Sequence, residues 1–240
     1  MDRGTLDQAI AALITQLDGA AGAGYSAVLY GSAARGDWIP GRSDVNLMLV
    51  VEDASPEPLR RLTPAITAWH GAGFTPPLII GREEWRRAAD VFPIEITDMR
   101  LSYRLLHGED PLDALAVDAD DLRRAIESEL RGKLVRLRQA YVRFGDVPVT
   151  LGGFALSSVP ALLVLCRCIN VLRGQRAGET PKETIAALSA ALGNDAGVIV
   201  EIAAHRRDSE WQCPPVTFAR YLEAVRRAVE LVDHLQRGEG

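Results

Sequence analysis

The sequence predicts an α/β unit followed by an all-helical one, and three observations carry that expectation. Residues 25–51 run from an apolar stretch through a Gly-Ser turn and a polar loop into a second apolar stretch, which reads as strand, turn, short helix, loop, strand. From residue 118 onward apolar side chains recur almost without interruption at helical spacing. The charge balance shifts between these parts: residues 1–115 hold ten Arg and no Lys against sixteen Asp and Glu, a net −6, while residues 116–240 carry +1 of the total of −5. We therefore expect domains at 1–115 and 116–240.

Each element has its own signal. Leu6, Ile10, Leu13, Ile14 and Leu17 mark a first helix, which the glycines between 19 and 24 end. Residues 26–30 and 44–51 are the expected first strands, with a helix over 56–70 after them that turns Leu59, Leu62, Ile66 and Trp69 inward. Residues 76–80 read as a third strand and 83–89 as a short helix. The alternating run Phe92-Pro93-Ile94-Glu95-Ile96-Thr97-Asp98 reads as a further strand, placing Glu95 and Thr97 on one face and Asp98 on the other. A turn is expected over 106–112.

In the second half, residues 121–144 form a long basic helix carrying Lys133 and six arginines, and 151–173 an apolar one whose Pro160 either kinks it or marks its first turn. Thr180-Pro181-Lys182-Glu183 has the form of an N-cap followed by a first-turn proline. Residues 198–207 and 216–237 complete four or five helices, for which a bundle is the economical packing.

Composition narrows the function classes. A net charge of −5 argues against a general nucleic-acid binder, because binding driven by the phosphate backbone needs a concentrated basic surface. Cys166, Cys168 and Cys213 lack metal-ligand spacing and are expected as reduced thiols. The N-terminal stretch has no apolar signal core, and the longest uninterrupted apolar run, 159–166, is far short of a membrane span; the expected location is the cytoplasm, with no membrane partner.

The first turn has chemistry in it. Gly31 lets backbone approach a ligand without a Cβ in the way, and the amides after it, with the Ser32 hydroxyl, are donors suited to phosphate oxygens. Twelve residues after Ser32, Ser43-Asp44 opens the second strand, where Asp44, Asn46 and Met48 share one face and Val45, Leu47 and Leu49 the other. Oxygen ligands there suit a divalent metal held against the phosphates.

The pattern Gly31-Ser32-Ala33-Ala34-Arg35-Gly36 followed by Ser43-Asp44-Val45-Asn46 resembles the nucleotidyltransferase signature of the DNA polymerase beta superfamily, with Asn46 standing where that family places its second carboxylate. The segments Ile94-Glu95-Ile96-Thr97 and Gly178-Glu179-Thr180-Pro181-Lys182 look like parts of the aminoglycoside adenylyltransferases. The resemblance implies an α/β (α+β) nucleotidyltransferase domain with a mixed sheet, then a helical bundle, with the site in the cleft between them. It implies that Gly31, Ser32, Arg35, Ser43 and Lys182 contact a nucleoside triphosphate, with ATP the first choice. Asp44, Asn46 and Glu95 would hold Mg²⁺, and Glu95 would take the proton from a small-molecule hydroxyl acceptor, with Asp98 competing for the place of Glu95. The alternative implied by Asn46 is a catalytically impaired, antitoxin-like protein that binds nucleotide or a protein partner.

Overall fold

The computed structural model describes residues 2–21, 24–41, 43–208 and 210–235, with Asn194 by its backbone only. Arg42 of the signature loop, residues 22 and 23 of the expected glycine break and the expected end of the last helix at 237 lie outside them. The chain forms two compact units, Met1–Val117 and Asp118–Gly240.

The first unit is built on four strands: β1 (Tyr25–Tyr30), β2 (Asn46–Val51), β3 (Leu78–Gly81) and β4 (Tyr103–His107). They stand in the order β3-β2-β1-β4, with β1 antiparallel to β2 and β4, and β3 parallel to β2. The sheet is thus mixed. Its helices are α1 (Arg3–Ala21), α2 (Ser32–Arg35), α3 (Pro56–Gly71), α4 (Arg82–Arg86) and α5 (Pro93–Leu101).

Both faces of the sheet are buried, and the alternation along β2 decides which side chain goes where. Leu47, Leu49 and Val51 pack with Leu6, Ile10, Leu13 and Leu17 of α1 and with Leu62, Ala65 and Trp69 of α3. Met48 and Val50 pack on the other face with Ile80, Trp85, Ile96 and Met99.

One expected strand is overturned. Residues 93–101 are helix α5, although Ile94, Ile96 and Thr97 favour strands. Pro93 at the first helical position and Glu95 in the first turn are start signals that outweigh the alternation, and the buried set Pro93, Ile94, Ile96, Thr97, Asp98 and Met99 covers most of the helix surface, so the period is masked. The expected turn also begins too early, because Leu106 and His107 end β4 and the reversal comes at Gly108 (φ +77°), where a Cβ would lie 2.2 Å from the Tyr25 carbonyl. His107 instead stacks on the Tyr25 ring at 4.1 Å.

The second unit is all-helical: α6 (Ala119–Phe144), α7 (Pro148–Leu172), α8 (Pro181–Ala186), α9 (Ser189–Leu192), α10 (Gly197–Ala204) and α11 (Pro215–His234), with short 3₁₀ turns after α9 and α10. Asp118 caps α6, its carboxylate accepting the amides of Asp120 at 2.8 Å and Asp121 at 3.2 Å. Thr180 caps α8 through the amide of Glu183 (3.2 Å), with Glu183 returning to the Thr180 amide (3.4 Å) in a capping box.

Helix α7 packs against α6, α8, α10 and α11 and buries Leu151, Val159, Leu162, Cys166 and Ile169. Pro148, not Pro160, occupies its first turn, and Pro160 lies in its interior. By length and composition alone α7 is apolar enough to cross a membrane, contrary to the expectation from uninterrupted runs. Contact with four other helices accounts for that apolarity. All three cysteines are buried, and burial pushes the thiols of Cys166 and Cys213 up to about 12.

Replacing Asp118 with Ala leaves two first-turn amides of α6 without their acceptor. The expected loss is about 1 kcal/mol of stability, read by denaturant unfolding of the full chain.

Candidate nucleotide-binding site

The polar end of β1 is where the sequence signals converge. Tyr30, the last residue of β1, pairs with Asn46, the first of β2. Gly31 follows at φ +73°, ψ −148°, a backbone region that only glycine enters without strain. Its missing side chain has a second consequence: a Cβ there would lie 2.9 Å from Asn46 Nδ2, so the Asn46 amide packs directly on the turn.

Backbone bonding in the turn limits what it offers a ligand. The amides of Ala34 and Arg35 bond to the Gly31 carbonyl at 3.1 and 3.0 Å, and those of Gly36 and Asp37 to the Ser32 carbonyl at 2.9 and 3.1 Å. Donation to a phosphate therefore falls to the amides of Ser32 and Ala33 and to the half-buried Ser32 hydroxyl. Arg35 faces Asp37 at 3.4 Å and Asp98 at 3.8 Å, which ties α2 to α5. Ser43 braces the loop: its Oγ accepts the Ile39 amide at 3.2 Å and its carbonyl accepts the Trp38 indole N–H at 2.8 Å.

Asp44 stands exposed just before β2, and the Thr75 hydroxyl donates to its Oδ1 at 3.0 Å. Thr75 is fixed in turn, because its carbonyl accepts the Trp69 indole N–H at 2.8 Å and Phe74 beside it stacks on the Trp69 ring at 4.1 Å. Asp44, Ser43 and Thr75 line an open cavity of ≈ 470 Å³ whose apolar walls are Trp38, Pro40, Val45 and Phe74.

Glu95 is not on a strand beside Asp44. The strand that pairs with β2 on that side is β3, and the residue that reaches Asp44 from there is Thr75. Glu95 is exposed in the first turn of α5 and Asp98 is buried one turn later, so the helix puts on one side two acids that a strand would have separated. Burial, then the charges of Glu95 and Asp98, raises the Tyr30 phenol above its ordinary range, which places both acids in the field of the residue opposite Asn46. Lys182, in the other unit, is exposed at the second position of α8.

Among the described residues no three His, Cys, Asp or Glu side chains are grouped to hold a metal ion. The expected set Asp44, Asn46 and Glu95 supplies one carboxylate on β2's approach, one amide packed on Gly31 and one acid on a helix. This does not fit a two-metal cage. An exposed carboxylate such as Asp44 does fit Mg²⁺ that arrives on a triphosphate, since that ion keeps water and phosphate oxygens among its ligands. Sequence reasoning missed Tyr30 and Thr75, and the only signal for Thr75 was its place immediately before the third apolar run.

The conformation of Gly31 makes alanine there costly to the fold. Gly31→Ala is expected to cost about 1–3 kcal/mol of stability from backbone strain. Adding Asn46→Ala relieves the contact but not the dihedral, so denaturant midpoints should recover only in part. Ser32→Ala, with no such strain, should unfold near wild type.

No protein-family model and no curated protein sequence matches this chain. Its structure is similar to that of spectinomycin adenyltransferase AAD(9) from Enterococcus faecialis, solved with ATP and spectinomycin, with a TM-score of 0.53 and 14% sequence identity over 92% of this chain and 99% of that one. Over 92% of its length, therefore, the chain shares the fold of that adenyltransferase.

Proposed function

We propose that this protein binds a nucleoside triphosphate, ATP first, at the Gly31-Ser32 turn and transfers its nucleoside monophosphate to a hydroxyl of a small molecule. The observation that carries this reading is the Gly31 turn, in a conformation open only to glycine and packed on Asn46 at the head of β2, in the fold of an enzyme whose structure holds ATP and spectinomycin. The Ser32 and Ala33 amides and the Ser32 hydroxyl hold phosphate oxygens. Arg35, kept in place by Asp98, adds positive charge behind them.

In the transfer, the acceptor oxygen attacks the α-phosphorus, the bond to the bridging oxygen of the β-phosphate breaks, and pyrophosphate leaves with that electron pair. Glu95, exposed in the first turn of α5, takes the hydroxyl proton. Asp44 holds Mg²⁺ carried in on the triphosphate, and the ion when bound neutralises phosphate charge. The Trp38–Phe74 cavity beside Asp44 gives the acceptor an apolar wall to lie against.

A second reading is favoured by Asn46 and by Thr75, which put an amide and a hydroxyl beside Asp44 where further carboxylates would strengthen metal binding. One unit charge about 4 Å from another contributes about 4 kcal/mol at an effective dielectric of 20, so the loss is large on the scale of a barrier. On this reading the protein binds nucleotide, or a protein partner, without turnover.

The two readings differ in a measurement. Isothermal titration with ATP and GTP, with and without Mg²⁺, and pyrophosphate release with a panel of aminoalcohol acceptors should show metal-dependent binding and slow release. Asn46→Asp should raise release by about tenfold or more, equal to about 1.4 kcal/mol of barrier, and Glu95→Gln should lower it by about a hundredfold or more. Binding without release in wild type and in Asn46→Asp would establish the second reading in its nucleotide form, and no nucleotide binding would overturn the first reading and that form of the second.

A further inference from the structure

Lys133 is one of only two lysines in the chain, against twenty-five arginines. It lies on α6 at 8% exposure, and among the described residues its ammonium donates to the carbonyl of Ser158 at 3.3 Å and the Ser158 Oγ at 3.5 Å. Both contacts are longer than the roughly 2.7–2.9 Å of a bond between an ammonium and an anionic oxygen. No carboxylate pairs with it among the described residues. Glu129, one turn earlier and exposed, acts through its field alone, and burial together with the charge of Arg136 holds the ammonium below the ordinary lysine range.

The Ser158 hydroxyl that accepts from this ammonium has a second donor. The hydroxyl of Tyr221, a fully buried residue of α11, donates to Ser158 Oγ at 2.9 Å. With Tyr221 and Lys133 both donating to Ser158 Oγ, the serine's own proton is left for another acceptor. Arg136 follows Lys133 by one turn, its guanidinium lying over Gly132, where a Cβ would be 3.6 Å from Nη1. No carboxylate pairs with Arg136 among the described residues.

A buried cation with no counter-charge is disfavoured, and a like charge one turn away adds to the cost. An ammonium, a guanidinium and a hydroxyl proton with no charged acceptor make a complementary set for an anion. We propose that Lys133, Arg136 and Ser158 form an oxyanion site on the helical unit and that its ligand is a phosphate group. Three separate donor groups match the three terminal oxygens of a phosphate, whereas a carboxylate presents two. Ser158 is half-buried and keeps the site open to solvent, and Tyr221 behind it fixes the hydroxyl. The site lies on α6 and α7 and does not depend on the nucleotide reading of the Gly31 turn.

The scarcity of lysine supplies the test. Full-length protein labelled with ¹³C-lysine yields two ε-methylene resonances, which Lys133→Met assigns. Inorganic phosphate should move the Lys133 resonance saturably, raise its titration midpoint and leave Lys182 in place, while acetate and chloride at equal ionic strength should not. Arg136→Gln, at an exposed position that spares the fold, and Ser158→Ala should each weaken phosphate binding about tenfold or more. A Lys133 resonance that phosphate does not move, that acetate and chloride move equally, or that responds identically in Arg136→Gln would overturn the site.

Discussion

The antiparallel register of β1 on β2 is the constraint on which the rest of the first unit depends. Because Tyr30 faces Asn46, the chain must leave β1 immediately above the Asn46 side chain, and only a residue without a Cβ can do so at that φ and ψ. The same register sets the alternation of β2, which sends Leu47, Leu49 and Val51 to one helical layer and Met48 and Val50 to the other. A slip of one residue would exchange every buried side chain with its neighbour across the sheet. The polar end of the sheet is therefore anchored by apolar packing on both faces.

Around that anchor the charges fall into two groups. Arg35, Asp37 and Asp98 form a chain of ion pairs joining α2, which follows the Gly31 turn, to α5, the helix that carries Glu95. Asp44 stands apart, held by one neutral hydroxyl and facing an open cavity. Among the described residues no cage of acids surrounds it.

The helical unit follows a different economy. Helix α7 is buried against four others and so is apolar along its length, and the cost of any polar group there is correspondingly high. Ser158 is tolerated because Tyr221 and Lys133 engage it, and Lys133 is tolerated only with its proton affinity lowered. Ser158 on α7, Lys133 on α6 and Tyr221 on α11 thus satisfy one another where the three helices meet.

The sequence by itself determined the two-part architecture, the Gly31-Ser32 turn between two strands, the facing of Val45, Leu47 and Leu49 away from Met48 and the capping of α8 by Thr180. Each of these rests on local periodicity, turn residues or capping chemistry, which act within a few residues of chain. Pairings between distant segments were decided only by tertiary structure. Residues 93–101 alternate like a strand, yet Pro93 and burial on nearly every side make them a helix, which turned Glu95 and Asp98 from opposite faces to one. Thr75 reaches Asp44 because β3 lies parallel to β2, and Ser158 gathers Lys133 and Tyr221 because three helices cross there. Contacts between residues far apart in sequence depend on how whole elements pack, and no local pattern encodes that.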